Sequence, residues 1–187
     1  MNLFREWLAD AEKHEPSHAN ACTLATANAA GKPSARVVLL RGLDQRGFSF
    51  YTNRESRKGR DLAENPRAAL TFHWKSTRRQ VRVEGSVEVL ADDESDRYFA
   101  ARPRGSQLAA WASPQSSVLP DRKVLDEAVA REAARHGAGP VPRPPFWGGY
   151  RIRPACIEFW EEGEARLHRR WEYVLEGDRW RRRSLWP

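Results

Sequence analysis

Apolar positions recur along this chain in two rhythms, and the switches between them mark out its elements. Leu3, Phe4, Trp7, Leu8 and Ala11 fall on one side of a helical period, so the spacing predicts an amphipathic packing helix over about 3–15. The pattern then shortens to β-type runs cut by turns: Ala21 to Ala27, Ser34 to Leu43, a turn at Asp44-Gln45-Arg46-Gly47, and Phe48 to Thr52. Ser56 stands at the N-cap position of a helix running to about Glu64, and Asn65-Pro66 ends it. Arg67 to Trp74 and Arg78 to Leu90 read as a second β pair. Helical spacing returns over Asp92 to Ala101, Ser106 to Ala112 and, after Pro120, Asp121 to Arg135. Pro140, Pro142, Pro144 and Pro145 make 137–145 a connector, and β segments follow at about Gly149 to Arg153, Ala155 to Glu161, Leu167 to Glu176 and Arg179 to Leu185. Many short strands, few helices and no internal repeat predict a mainly β, α+β fold: a β-barrel with peripheral helices.

Composition narrows the function classes. At 187 residues the chain suits one domain spanning 1–187 with a full core. No apolar run approaches the roughly 18 residues of a spanning helix, and Arg5, Asp10 and Glu12 break up the N-terminus, so a cytoplasmic protein with no membrane partner is expected. Cys22 and Cys156 have neither CxxC nor Cys/His spacing, which suggests no metal site and no disulfide framework. A net charge of +7 calls for an anionic partner. The basic residues are scattered except around Trp180, where Arg179 and Arg181-Arg182-Arg183 cluster; a small phosphorylated ligand would reward them at less surface cost than a nucleic acid. Eight tryptophans favour a large aromatic core or a flat-ring ligand.

Two local patterns point to chemistry. If 166–174 is a strand, alternation puts Arg166, His168 and Arg170 on one face, where they would meet an anion or an electron-rich ring, or else protect a solvated edge. Arg57 and Lys58 place positive charge at a helix N-terminus against the macrodipole, a conflict that a bound phosphate relieves.

Arg36-Val-Val-Leu-Leu-Arg41, Phe50-Tyr-Thr-Asn53, Ser56-Arg-Lys58, Arg79-Gln-Val81, Arg102-Pro-Arg-Gly-Ser-Gln107, Gln115-Ser-Ser117, Phe146-Trp-Gly-Gly149 and Arg166-Leu-His168 occur in one order and spacing. From about Leu3 to Pro187 the chain resembles the pyridoxine (pyridoxamine) 5′-phosphate oxidase family. The resemblance implies an FMN-binding split β-barrel, a homodimer whose flavin site is built from both subunits, and an oxidase-specific C-terminal segment at about 146–187. It implies oxidation of pyridoxine 5′-phosphate or pyridoxamine 5′-phosphate to pyridoxal 5′-phosphate, with O2 as acceptor and hydrogen peroxide as product.

Carried over position by position, Arg36, Ser56, Arg57, Lys58, Gln115 and Ser116 would hold the FMN phosphate and ribityl chain. Val37, Val38, Leu39, Leu40, Arg41, Tyr51, Thr52, Gln80, Trp160 and Arg170 would line the flavin, with Arg170 near its reducible end. Arg41, Tyr98, Arg102 and Ser106 would bind the substrate phosphate, Tyr98 and Arg102 as an i, i+4 pair on one helix face. Arg166, Leu167 and His168 would meet the substrate ring, with Arg166 and His168 as the catalytic pair. Two positions depart from the family pattern: Arg41 replaces the usual lysine, and Ser184 stands where an arginine often precedes the leucine. Family members also commonly carry a basic segment upstream of the first helix that folds over the site, and a site lacking it would be more open. The alternative functions are a phenazine-pathway type of flavin oxidase on the same fold, and a non-catalytic carrier of FMN or pyridoxal phosphate.

Overall fold

The computed structural model describes the whole chain, Met1–Pro187. In order, α1 (Asn2–His14) leads into β1 (Ala21–Ala27), β2 (Pro33–Leu39), β3 (Gly42–Asp44), β4 (Gly47–Asn53), α2 (Arg57–Glu64), β5 (Arg67–Trp74) and β6 (Arg79–Val89). Then come α3 (Asp92–Ala100), α4 (Arg104–Ala112), α5 (Arg122–His136), β7 (Trp147–Glu161), a 3-10 turn at Glu164–Arg166, β8 (Arg169–Glu176) and β9 (Arg179–Leu185). The nine strands form one antiparallel sheet in the order β2-β1-β5-β6-β7-β4-β3, with β8 on β7 and β9 on β8, so the mainly β expectation holds.

β7 organises this sheet. One of its edges pairs with β6, while the other serves β4 through Trp147–Ile152 and β8 through Cys156–Glu161. The sequence pattern suggested two segments parted near Pro154; the structure has one strand with a bulge. Glu84 pairs with Cys156 and Gly85 with Pro154, which leaves Ala155 without a partner and bends the strand. Gly85 is needed there, because a Cβ on it would lie 1.9 Å from the Arg153 carbonyl oxygen.

The run expected as one strand over Ser34 to Leu43 is instead divided into β2 and β3. At the break the Leu40 N–H donates to the Asn20 carbonyl (2.8 Å) and the Arg41 N–H to that of Ser49 (2.8 Å), so the chain changes partners there. The corner buries Leu40 and leaves the Arg41 side chain exposed.

α1 closes the interior. Phe4 and Ala11 are fully buried and Trp7 nearly so, as the helical spacing predicted. Phe4 meets Phe48 and Phe72 edge-on, each at 4.9 Å between ring centroids, and Trp7 meets Phe159 at 5.2 Å. Most of the aromatic content is therefore core: Trp111 packs against the smaller of the two buried clusters, and only Trp160, Trp180 and Trp186 lie outside both clusters and their packed borders. That smaller cluster, Phe99, Leu108, Val141 and Trp147, ties α3 and α4 to the start of β7. Cys22 is buried and Cys156 half-buried; both are free thiols pushed upward in pKa by burial, to about 12 and about 11. No helix is long and apolar enough to cross a membrane.

Candidate active site

A cavity of about 660 Å³ opens between β2, β4 and the α3–α4 pair. Eleven of the residues singled out from sequence line it: Val37, Val38, Leu39, Arg41, Tyr51, Thr52, Lys58, Tyr98, Arg102, Ser106 and Gln115. Positions far apart in the chain thus converge on one concavity, with an apolar wall from β2 and polar groups from four other segments.

One polar group is centred on Lys58. Ser56 caps α2, its Oγ accepting from the Gly59 N–H (3.4 Å), and this turns the first helical residues back toward β4. Lys58, buried in that first turn, donates to Thr52 Oγ1 (3.1 Å), Ser56 Oγ (3.1 Å) and Gln115 Oε1 (2.9 Å). All three partners are neutral. Burial, with the nearby Arg36 charge, pulls its pKa down to about 8. Arg36 itself does not line the cavity; its guanidinium donates to Thr26 Oγ1 (2.7 Å) and Ser34 Oγ (2.7 Å) and lies 3.7 Å from the buried Asp61. Arg57 and Ser116 are exposed beside this group, and Ser116 takes a left-handed backbone, φ 75°. Leu40 belongs to the core rather than to the cavity.

Arg41 and Arg102 make the second group. Neither forms an ion pair, unlike the buried Arg151, which is held by Glu88 and Glu94. Arg102 keeps a buried Nη1 without a hydrogen bond, and burial first, then the neighbouring Arg41, lowers its pKa while Tyr98 opposes the shift. The helix-face pairing expected for Tyr98 and Arg102 needs correction. α3 ends at Ala100, and the Arg102 N–H bonds to the Phe99 carbonyl (3.1 Å), so a tightened last turn rather than a continuing helix brings Arg102 to the cavity. Ser106 follows in the first turn of α4, whose N-terminus faces the same space.

A third group lies apart. Gln80, Trp160 and Arg170 are register partners across β6, β7 and β8, so they form a row on one face of the sheet. None of them lines the cavity, nor do Arg166, Leu167 or His168. The alternation expected over 166–174 fails at its start, since β8 begins only at Arg169. Residues 163–168 form a turn in which Ala165 (φ 51°) and Arg166 (φ 64°) both take left-handed backbone, and strand alternation cannot hold through it. The turn still brings His168 to 4.6 Å from the Trp160 ring, and the Gly163 N–H donates to His168 Nδ1 (3.3 Å). Arg166 and Leu167 remain exposed.

Sequence reasoning missed Glu158 and Trp147. Glu158, nearly buried, accepts from Arg170 through Oε1 (Nε 2.9 Å, Nη2 2.8 Å) and from Arg82 through Oε2 (3.0 Å). Its position two residues before Trp160, on the same strand face, was the available signal. Ala109, Ala110 and Ser113 also line the cavity; Ser106, Ala109 and Ala110 form a small-residue face of α4 at helical spacing, and Ser113 follows at its C-cap.

Comparison with known proteins identifies the family and the fold. Residues 8–135 match the family model described as pyridoxamine 5′-phosphate oxidase, and residues 147–187 match that of the pyridoxine 5′-phosphate oxidase C-terminal dimerisation region. The pyridoxine/pyridoxamine 5′-phosphate oxidase of Azorhizobium caulinodans is 56% identical, over 100% of this chain and 89% of that protein. That of Anaeromyxobacter dehalogenans is 55% identical, over 98% and 93%. Among solved structures, PhzG from Burkholderia lata in complex with tetrahydrophenazine-1-carboxylic acid superposes with a TM-score of 0.93 at 36% identity, covering 100% of this chain and 91% of that one. An FMN-binding protein from Nostoc punctiforme, related to pyridoxamine 5′-phosphate oxidase, shares the fold at a TM-score of 0.78 and 18% identity, over 98% and 97%. This chain belongs to the pyridoxine/pyridoxamine 5′-phosphate oxidase family.

Proposed function

We propose that this chain is an FMN-dependent oxidase that converts pyridoxine 5′-phosphate or pyridoxamine 5′-phosphate to pyridoxal 5′-phosphate, with O2 as electron acceptor and hydrogen peroxide as product. One observation carries the reading: a single cavity holds two separate cationic groups, Lys58 with Arg36 and Arg57 behind it, and Arg41 with Arg102. A cofactor and a substrate that each bear a phosphate need two such groups. The donor set fits FMN. A buried lysine at a helix N-terminus, with only neutral partners, suits a phosphate dianion, and the wall from Val37 to Leu39 with Tyr51 suits a flat ring.

Arg41, Arg102, Tyr98 and Ser106 then hold the substrate phosphate and so fix the ring relative to the flavin. FMN held there would supply a two-electron acceptor for hydride from the substrate's 4′-carbon, with O2 as the final oxidant. The remaining residues come from a second copy of the chain, since Gln80, Trp160, Arg166, His168 and Arg170 stand outside the cavity of their own protomer. His168, whose Nδ1 accepts from Gly163, offers Nε2–H as a donor to the substrate ring, and Arg166 clamps that ring. Arg170 acts as a directed hydrogen-bond donor more than as a free charge, because Glu158 offsets it. The phenazine-type alternative has less behind it: its relative is 36% identical against 56%, and two unpaired arginines suit a phosphate better than a single carboxylate.

Aerobic turnover of the FMN-loaded protein with pyridoxine 5′-phosphate, following pyridoxal 5′-phosphate and peroxide together, tests the reading. Equal appearance of both is expected; flavin binding with neither product would overturn it.

Lys58 gives a pH dependence. Its folded pKa of about 8 lies below the ordinary lysine value of 10.5, so between these limits the unfolded chain binds more protons. This group therefore makes the flavin-free protein more stable as pH rises from about 8 to 10.5, and its burial cost is fully present below about 8. A bound phosphate favours the charged amine, so FMN binding at about pH 8.5 is expected to take up a proton and to weaken toward pH 10. Calorimetry in two buffers of different ionisation enthalpy measures the uptake. Lys58→Met should abolish it, and an unchanged proton count in that variant would exclude Lys58 as its source.

A further inference from the structure

Arg102 is oriented without a carboxylate. Its guanidinium carbon lies 4.7 Å from the centroid of the Trp147 ring and 5.4 Å from that of Phe99, and its Nη1 is buried with no hydrogen bond. Arg143 and Arg170, by contrast, are each locked by acidic side chains. A carboxylate fixes the guanidinium fork but offsets the charge that an anionic ligand needs. An aromatic face orients the fork and leaves its charge and N–H edge available.

Trp147 is itself firmly held. It is nearly buried, meets Phe99 edge-on at 5.0 Å, and lies nearly parallel to Tyr51 (5.7 Å, 11°) and Tyr98 (6.1 Å, 2°). Its backbone N–H donates to the Pro144 carbonyl (3.0 Å), and its backbone carbonyl accepts from Arg143 Nη1 (2.6 Å). Gly149, two residues on, lets this stack close: a Cβ there would lie 2.7 Å from Tyr51 Cε1.

We propose that Trp147 is a positioning residue for recognition of the substrate phosphate: its indole face sets the plane of the Arg102 guanidinium and, through the shared stack, the ring of Tyr98. The proposal rests on the oxidase reading of the cavity. It gives the Phe146-Trp147-Gly148-Gly149 segment a task in binding beyond opening β7.

The test is a double-mutant cycle on the FMN-loaded protein, titrated with pyridoxal 5′-phosphate. Trp147→Leu is expected to weaken binding about tenfold and Trp147→Phe, which keeps a smaller π face, about threefold. In an Arg102→Ala background either change should cost less than about twofold, because the cation it positions is gone. In turnover the loss is expected in KM rather than kcat. Equal weakening in both backgrounds would show that Trp147 only packs, and unchanged binding in Trp147→Phe and Trp147→Leu would also overturn the proposal. Should Trp147→Leu not fold, the cycle with Trp147→Phe decides by the same comparison. Absence of binding by the unsubstituted protein would remove the oxidase reading as well, whereas normal binding with additive losses removes only the role of Trp147.

Discussion

Replacing Phe4 with alanine is expected to destabilise the protein by about 3–5 kcal/mol, the usual cost of emptying a buried phenylalanine site. Phe4 is fully buried and sits among Phe48, Phe72 and Trp74, so neighbouring rings would have to tilt to fill the space. It also anchors α1, whose other buried aromatic, Trp7, meets Phe159 and Trp171. The loss is a large share of the roughly 5–15 kcal/mol typical of a folded domain. Urea unfolding at one fixed protomer and FMN concentration measures it, since assembly and ligand both shift apparent stability. The midpoint should fall with little change in slope. A cost below about 1 kcal/mol would mean that α1 does not cover the core in solution.

Where local pattern alone decides the structure, the sequence reading matched it closely. The buried face of α1, the Ser56 cap and the β5–β6 pair follow from spacing, cap chemistry and alternation, and each appears where those rules put it. The differences come where long-range pairing overrides local pattern. Pro154 reads as a strand end because it lacks an N–H, but β6 accommodates it through Gly85 and an unpaired Ala155. Leu40 and Arg41 read as mid-strand, yet their N–H groups bond to different partners, and that corner turns Arg41 into the cavity. Neither Asn20 nor Ser49 announces itself as such a partner in a linear pattern.

The candidate site shows the same division. Residue types disclosed the cations, but not which of them stand beside a carboxylate. Arg36 and Arg170 look like Arg41 and Arg102 in sequence, and only folding sets Asp61 beside the first and Glu158 beside the second. The turn before β8 also escaped the reading, because two non-glycine residues, Ala165 and Arg166, hold left-handed backbone there. Such conformations cost free energy and persist where surrounding structure imposes them, often at functional sites.

That turn leads to the second large effect. Arg102 lines the cavity of its own protomer and Arg166 does not; if both contact substrate as proposed, Arg102→Ala and Arg166→Ala should each lower kcat/KM by about 100-fold or more as homodimers, the loss expected for a charge-assisted contact. FMN is expected to stay bound in both, because neither side chain belongs to the group around Lys58. Co-expression with two different tags and sequential purification yields the mixed dimer. If each site takes Arg102 from one copy and Arg166 from the other, one site of the mixed dimer carries both substitutions and the other carries neither. Turnover should then recover to about half that of the unsubstituted dimer. If each protomer instead supplied both residues to its own site, every site in the mixed dimer would carry one lesion and activity would stay at the level of the parents. The 147–187 match to a dimerisation region favours the first outcome, and the placement of the Gln80-Trp160-Arg170 row outside the cavity gives the physical reason for it.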